Sequence, residues 1–269
     1  MENPYAIELP NVRRMLIPDD GFLLIEADLS RADAQVVAWD SGCEELKTIF
    51  GFGTDVHASN ASWIYNTPDV YALHINGESY RQNAKRAVHL THYAGRANTL
   101  AASLAIDTTT AERFIRYWAW ERFPEIHKWH ERIEHLLRSQ KYPVIKNAFG
   151  YRRMYTDRFS DHQIAQALAW IGQGTVACVI NRALLQLSEG PASPSSNWGV
   201  QLLGLAQSDP LLQVHDSIVM QAPVEVFPAV CEPILKAMAV TIPYEDPLII
   251  PSELKWSDKS WGEMKSWKH

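Results

Sequence analysis

Two apolar runs constrain this chain more than any other feature. They are Gly21–Ser30, GFLLIEADLS, and Leu211–Pro223, LLQVHDSIVMQAP. The first follows the turn signal IPDDG and reads as a strand that ends near Asp28. The second reads as two short strands joined at His215-Asp216-Ser217, a β-hairpin with polar residues at its tip. Most of what lies between them reads as helix. The chain order is strand, many helices, hairpin, helix, strand. That order predicts an α+β fold, one antiparallel sheet with a mainly helical segment inserted between its strands.

The helical reading rests on pattern and breakers. A helix is expected from Ser30, with Ser30 as N-cap, Asp33 as a capping-box-like acid, and apolar Val36, Val37 and Trp39 following. Tyr80–Leu104 contains no proline and one glycine, Gly95. Thr110–Gln140 is amphipathic, and Pro124 should kink or break it. Ile164–Leu187 is a further helix, weakened locally by Gly172 and Gly174. Val224–Val240 reads as helix, and the closing SELKWSDKSWGEMKSW begins like a strand. Ser188–Gly199, rich in Ser, Pro and Gly, reads as a surface insertion. No internal repeat is evident.

Composition excludes several classes. The three cysteines, Cys43, Cys178 and Cys231, form no CxxC pair, so neither a disulfide framework nor a cysteine zinc site is expected. The opening MENPYAIELP has neither a basic n-region nor an apolar run, so no signal peptide is read there. No apolar stretch approaches the roughly 20 residues of a membrane span. A soluble, cytoplasmic protein is expected. The net charge of −6 hides an asymmetry. Residues 80–158 carry 15 Lys and Arg against 7 Asp and Glu, inside an acidic remainder. A basic segment suits phosphate contact, and charge alone fits a solvated helix face equally well. No P-loop, GxGxxG, HExxH or GxSxG occurs, so Walker ATPases, Rossmann dehydrogenases, zincins and α/β-hydrolases lose their main signature.

Four sets of residues could carry chemistry. Asp28 and Asp216 stand where apolar strands end, and carboxylates from neighbouring strands can hold divalent cations. Oxygen ligands suit Mg²⁺, and two such ions can clamp an in-line displacement. Each aspartate alone is more simply a cap or turn residue. Arg81, Lys85, His89 and Tyr93 recur every four residues and so share one helix face. Two cations, a planar ring and a phenol suit a triphosphate with its sugar and base. An exposed basic helix is the plainer alternative. Gln173, beside Gly174 and Thr175, sits where a nucleic-acid backbone could approach closely, or where small residues merely pack. His57, in TDVHASNA, is a lone histidine near a helix start.

Taken in order, these segments resemble the C-terminal part of family A DNA polymerases, the DNA polymerase I type. ADLSRADAQVVAW resembles the first metal-aspartate motif, DYSQIELR. RQNAKRAVHLTHYAG resembles the fingers-helix motif. IGQGTVACVINRAL resembles the QGTAAD helix, and LLQVHDSIVMQAP the LQVHDE motif. VRRMLIPDDG, DVHASNASWIY, FIRYWAWERFPEIHKW, NAFGYRRMYTD and LKWSDKSWGEM are smaller matches. Together they cover almost the whole chain.

The resemblance implies an antiparallel palm sheet with an inserted fingers subdomain. It places a first palm part at residues 1–55, fingers at 56–155 and a second palm part at 156–269. It implies a DNA-directed DNA polymerase that uses two Mg²⁺ ions, with Mn²⁺ able to substitute. Asp28 and Asp216 would bind the metals, with the backbone carbonyl of Leu29 completing the shell. Arg81 and Lys85 would hold the incoming dNTP, Lys85 also assisting the leaving pyrophosphate. His57 would touch a phosphate, His89 would stack on the nucleotide, and Tyr93 would sit at the fingers hinge. Gln173 and His215 would touch primer–template DNA. Asp33 stands for the family glutamate that crowds the ribose 2′ position and is one methylene shorter. Leu29 and Arg31 replace Tyr and Gln, His89 replaces Phe or Tyr, Ser217 replaces an acid, and Ala94 replaces a glycine.

The resemblance begins just before the first metal motif. A thumb and an optional exonuclease are therefore expected on a second polypeptide, as in a split polymerase of a bacterial or phage-infected cell. A non-catalytic DNA-binding or assembly subunit is the alternative. A two-metal nuclease is disfavoured, because it has no use for the Arg/Lys helix face.

Overall fold

The computed structural model describes residues 11–51, 55–75, 77–189 and 209–268. In chain order these form β1 (Phe22–Leu29), α1 (Ala32–Ser41), α2 (Glu44–Gly51), α3 (Val56–Tyr65), β2 (His74–Ile75) and β3 (Glu78–Ser79). Then follow α4 (Tyr80–His92), α5 (Ala97–Leu104), α6 (Thr108–Arg116), α7 (Pro124–Ser139), β4 (Val144–Lys146), β5 (Arg152–Met154) and α8 (Asp161–Glu189). The last are β6 (Asp209–Val214), β7 (Ser217–Pro223), α9 (Phe227–Met238), β8 (Thr241–Ile242), β9 (Leu248–Ile249), β10 (Ser252–Ser257) and β11 (Lys265–Ser266). The chain divides into two compact units. One comprises residues 1–30, 177–241 and 249–269, the other residues 31–176 and 242–248. The expected boundaries at 55/56 and 155/156 both fall inside the second unit.

The first unit is built on a five-stranded antiparallel sheet of order β11-β10-β1-β7-β6. β1 is central because both of its neighbours are antiparallel partners, and it is buried along nearly its whole length. Successive side chains of a strand point to opposite faces. Leu23, Ile25, Ala27 and Leu29 therefore form one face with Ile218, Met220, Ala222 and Leu254 of the flanking strands, all buried. α9 packs against β1 and β10, burying Val230, Cys231 and Ile234. Each large aliphatic side chain so buried is worth roughly 1.5–3 kcal/mol. On the opposite face Leu24, Val219 and Trp261 form a small cluster, and beyond it the face turns polar with Glu26 and Asp28.

The second unit is helical, with two short antiparallel ladders, β2–β3 and β4–β5. One core gathers residues from α1 to α7 around Phe114, Trp118, Phe123 and Ile126, each 0% exposed. The other joins Val37, Tyr93, Trp129, Leu168 and Ile171.

Several expectations are met and several corrected. The hairpin closes at His215-Asp216, and Ser217 already belongs to β7. α1 starts one residue later than a Ser30 cap requires. Its N-cap is Arg31, in a left-handed conformation with φ 54 and no side-chain cap bond. The Tyr80–Leu104 helix is two helices, parted at Tyr93–Arg96. The Thr110–Gln140 stretch is three pieces. α6 passes into a wider π-helical turn at Tyr117–Arg122, and Pro124 opens α7 at its first position, where a missing N–H costs nothing. Helix in the Val224–Val240 stretch starts with a 3₁₀ turn, Val224–Val226, before α9. Ser188 and Glu189 end α8, and the rest of the Ser188–Gly199 insertion lies outside the described residues. The three cysteines are free. Among the described residues α8 alone is long and apolar enough to cross a membrane by length and composition, and half of that window is buried.

Two strained or crowded points generate predictions. Ala94, just after α4, has φ 53, a conformation that suits glycine. Left-handed backbone costs an alanine about 1–2 kcal/mol, and the extra unfolded-state freedom of glycine takes back about 0.4–1. Ala94→Gly should therefore stabilise the protein by roughly 0.5–1 kcal/mol in urea titration. Gly172 of α8 lies against the Tyr93 side chain, and a Cβ there would collide with the Tyr93 hydroxyl. Tyr93 is buried and has little room to yield. Gly172→Ala should cost about 1–3 kcal/mol, and adding Tyr93→Phe should recover much of that loss in a double-mutant cycle.

Candidate active site

In the sheet unit, register brings the two aspartates together. Asp28 of β1 lies opposite Ser217 of β7, immediately beyond Asp216 at the hairpin tip. The Leu29 N–H donates to the Asp216 carbonyl at 3.0 Å, fixing the tip to the end of β1. His215, exposed, holds the tip with a φ of 53. Burial, and then the Asp216 charge, push the Asp28 carboxyl up to about 6, with Lys255 pulling the other way. A carboxylate made costly to ionise by burial and by a neighbouring carboxylate is a group that a cation would relieve. Among the described residues no group of three or more His, Cys, Asp or Glu side chains converges on one point. The donor set is thus two hard carboxylates with backbone oxygens nearby. That fits Mg²⁺, which binds through one or two carboxylates and completes its shell with water and substrate phosphate. Ser217 supplies no third acid, and its hydroxyl donates to the Val214 carbonyl at 3.0 Å.

In the helical unit, α4 presents the row read from the sequence. Ser79 caps it, its hydroxyl accepting from the Gln82 N–H. Lys85 and His89 are exposed, and Tyr93 is the C-cap rather than a helical residue. Lys85 makes no ion pair among the described residues. Arg81 is already engaged. Its Nε donates to Asp55 Oδ2 at 2.7 Å, and the Tyr71 hydroxyl donates to the same oxygen at 2.7 Å. Burial opposes the Asp55 charge, but these two hydrogen bonds outweigh it and hold the carboxyl down at about 2. Asp55 also caps α3, accepting from the Ala58 N–H, so it ties α3 to α4.

His57 is buried on α3. Burial first, then the Arg81 and Lys85 charges, depress its imidazole to about 4, so it is neutral at pH 7. Its Nδ1 has no hydrogen-bond partner among the described residues. It can offer one N–H or one lone pair, and no charge. His89 Nδ1 stands 3.5 Å from Asp33 Oδ2, and its ring meets Tyr93 edge-on at 4.8 Å. Burial, and then the neighbouring Asp33 carboxylate, raise the Tyr93 phenol above its usual range. Gln173 is exposed on α8.

Sequence reasoning missed several groups. Gln82, Arg86 and Ser103 join Lys85 and His89 in lining a recess of about 330 Å³. Ser103 comes from α5, and only the packing of α4 on α5 brings it there. Asp55 lay inside a quoted motif, yet nothing in its spacing marks it as the partner of Arg81. Lys255 flanks Asp28, and only the strand register shows it.

Residues 6–263 match the family model described as DNA polymerase family A. The thermostable DNA polymerase I of Thermus aquaticus is 29% identical over 243 residues, covering 88% of this chain and 27% of that protein. DNA polymerase I of Pseudomonas aeruginosa is 26% identical over 260 residues, covering 94% of this chain and 26% of its own length. A solved structure described as the POL domain of Pol1 from M. smegmatis in complex with DNA primer-template and dNTP superposes with a TM-score of 0.73. It has 20% identity and covers 95% of this chain and 43% of that one. The chain thus spans about a quarter of the length of these curated relatives. With a family match over nearly its whole length, a shared fold and both motif aspartates brought together by register, the chain belongs to DNA polymerase family A.

Proposed function

We propose that this chain carries the palm and fingers of a DNA-directed DNA polymerase that adds dNMP units to a primer 3′-hydroxyl. The observation that carries the proposal is the Asp28–Asp216 pair where the central strand β1 ends beside the β6–β7 hairpin tip, in a chain that matches family A throughout. The sheet unit is the palm in this reading, and the helical unit contains the fingers.

Family A polymerases generally use divalent metal ions, and Asp28, Asp216 and the Leu29 carbonyl are the groups that would hold two Mg²⁺ here, with Mn²⁺ as a substitute. Bound there, the ions would supply Lewis-acid stabilisation of the attacking and leaving oxygens. The protein's own groups do the rest. Lys85 supplies an exposed point charge for the triphosphate and assists the leaving pyrophosphate. Arg81, held by Asp55, offers its remaining N–H groups in a fixed direction. Neutral His57 donates a hydrogen bond to a phosphate oxygen without adding charge. His89 stacks on the nucleotide, and its Asp33 partner faces the sugar. Tyr93, seated on Gly172, serves as the hinge of the fingers. Gln173 and His215 contact primer–template. The primer 3′-hydroxyl gives its proton to water, its oxygen bonds to the α-phosphorus, and the bond from that phosphorus to pyrophosphate breaks.

A cytoplasmic setting belongs to the same proposal. Affinity for duplex rests on neutralised phosphates, so extension should weaken as salt rises.

Primer extension on a DNA hairpin with Mg²⁺ and four dNTPs tests the activity. At low salt and high protein, the wild type should extend, and Asp216→Ala should lose at least about a hundredfold of the rate. Equal rates in the two proteins, or no wild-type extension with or without a co-purifying chain, would overturn the proposal.

A second test needs no turnover. The raised Asp28 value means that the folded state holds a proton more readily than the unfolded chain. Its stabilising effect is complete below about pH 4 and lost as pH rises to about 6. Without divalent ions at pH 7, Asp28→Asn should therefore melt higher than wild type, by about 2–4 °C after screening of a partly exposed group. The gap should close by pH 4. Mg²⁺ should raise the wild-type melting temperature at pH 7 and raise that of Asp28→Asn less. Calorimetry with and without EDTA measures both.

A further inference from the structure

The polar face of the sheet carries a charged pair to which the family motifs assign no role. Lys255 of β10 lies directly opposite Glu26 of β1, and Glu26 and Asp28, two residues apart, share that face. Glu26 is 6% exposed. Its Oε1 accepts from the Trp261 indole N–H at 2.9 Å. Its Oε2 lies 3.7 Å from Lys255 Nζ. The same ammonium lies 3.9 Å from Asp28 Oδ2. Both separations are ion-pair distances beyond hydrogen-bond reach, so the lysine is shared and committed to neither acid. Glu253, opposite Asp28 in the register, adds another negative charge near Asp28.

A buried carboxylate needs a partner, so Glu26 requires both Trp261 and a cation. The indole fixes Glu26 in one orientation, and the register fixes Lys255 across from it. The ammonium then has two resting places a short swing apart. A divalent cation at Asp28 would repel it toward Glu26, where a docked carboxylate waits.

We propose that Lys255 is a positioning residue for the Asp28 carboxylate, an internal counter-charge that Glu26 draws aside when a divalent cation binds and that thereby sets the affinity of the site for that cation. The proposal rests on the metal role given to Asp28 and Asp216 above. Without Lys255 the site is more negative and binds a cation more tightly. Without Glu26 the ammonium settles on Asp28 and binding weakens. Substitution of groups that orient or tune metal ligands commonly changes affinity by about 10–100-fold, which sets the scale of the expected effects.

The test is direct Mn²⁺ binding to the full chain, without nucleotide or DNA, read from the paramagnetic resonance of free Mn²⁺. Wild type, Asp216→Ala, Lys255→Met, Lys255→Arg, Glu26→Gln and the double variant Glu26→Gln/Lys255→Met are compared at pH 7.5. Lys255→Met should tighten the Asp216-dependent Kd about tenfold, and Glu26→Gln should weaken it by a similar factor. Lys255→Arg, which keeps the charge, should stay within about threefold of wild type. The double variant leaves no buried charge unpaired, so it remains informative if a single variant fails to fold. It should bind as tightly as Lys255→Met, whereas net charge alone predicts the wild-type Kd, because one positive and one negative charge are removed together. Asp216-dependent binding that Lys255→Met leaves unchanged, or a double variant at the wild-type Kd, would overturn the proposal while leaving the metal role intact. Equal Mn²⁺ binding by wild type and Asp216→Ala would remove the metal role and the proposal with it.

Discussion

The pairing of β1 with β7 is the constraint on which the rest depends. Two segments far apart in sequence become neighbours because Leu23, Ile25 and Ala27 match Ala222, Met220 and Ile218 on one apolar face. A slip of one residue would turn that face to solvent and bring its polar neighbours inward. The same register sets Asp28 against Ser217 and lets the Leu29 N–H reach the Asp216 carbonyl. The chemistry of the carboxylate pair is thus a by-product of hydrophobic matching on the opposite side of the sheet.

The helical unit solves a different problem, holding several cations close together. Arg81 and Lys85 are four residues apart on one helix face, with Arg86 next in the chain, and a like-charge pair at that four-residue spacing destabilises a helix by a few tenths of a kcal/mol. Asp55 takes Arg81 and Glu78 takes Arg86, leaving Lys85 the exposed cation without an ion pair among the described residues. Neutralisation by fixed partners also orients the guanidinium. An arginine held through Nε presents its terminal nitrogens in one plane, which suits an incoming phosphate better than a freely rotating head. His57 adds no further positive charge because burial and these neighbours keep it neutral.

The legible parts of the sequence were those set by short-range periodicity. The strand of Gly21–Ser30 and the hairpin of Leu211–Pro223 declared themselves by apolar content and turn residues, and the α4 row by its four-residue step. Family resemblance then pointed to Asp28 and Asp216, which the β1–β7 register brings together, and to Lys85, which is exposed on α4. What failed was whatever depended on backbone choice or on distant partners. Ser30 looked like a cap, yet the chain turns into α1 through a left-handed Arg31, a conformation no pattern announces. The break after His92 was hinted at by Gly95, but the left-handed residue is Ala94. By pattern Gly172 is a weak point in a helix, whereas its role is to leave room for the Tyr93 hydroxyl. Lys255 could not be seen beside Asp28 at all, since only the β1–β10 register connects them.

The placement of acids along β1 also shows how the sheet tolerates them. Glu26 lies deeper, almost fully buried, and is matched by an indole N–H and an ammonium. Asp28, one pleat nearer the strand end, has about a third of its side chain exposed and shares that ammonium at longer range. Deeper placement of Asp28 would demand a permanent partner of its own, and a carboxylate with a permanent partner is a poor cation ligand. Shallower placement would leave it solvated, and its charge would be screened from anything beside it. A carboxylate at the strand end, only partly desolvated and only partly neutralised, keeps enough unsatisfied charge to bind a cation. The apolar face beneath, covered by α9, carries the cost of leaving it so.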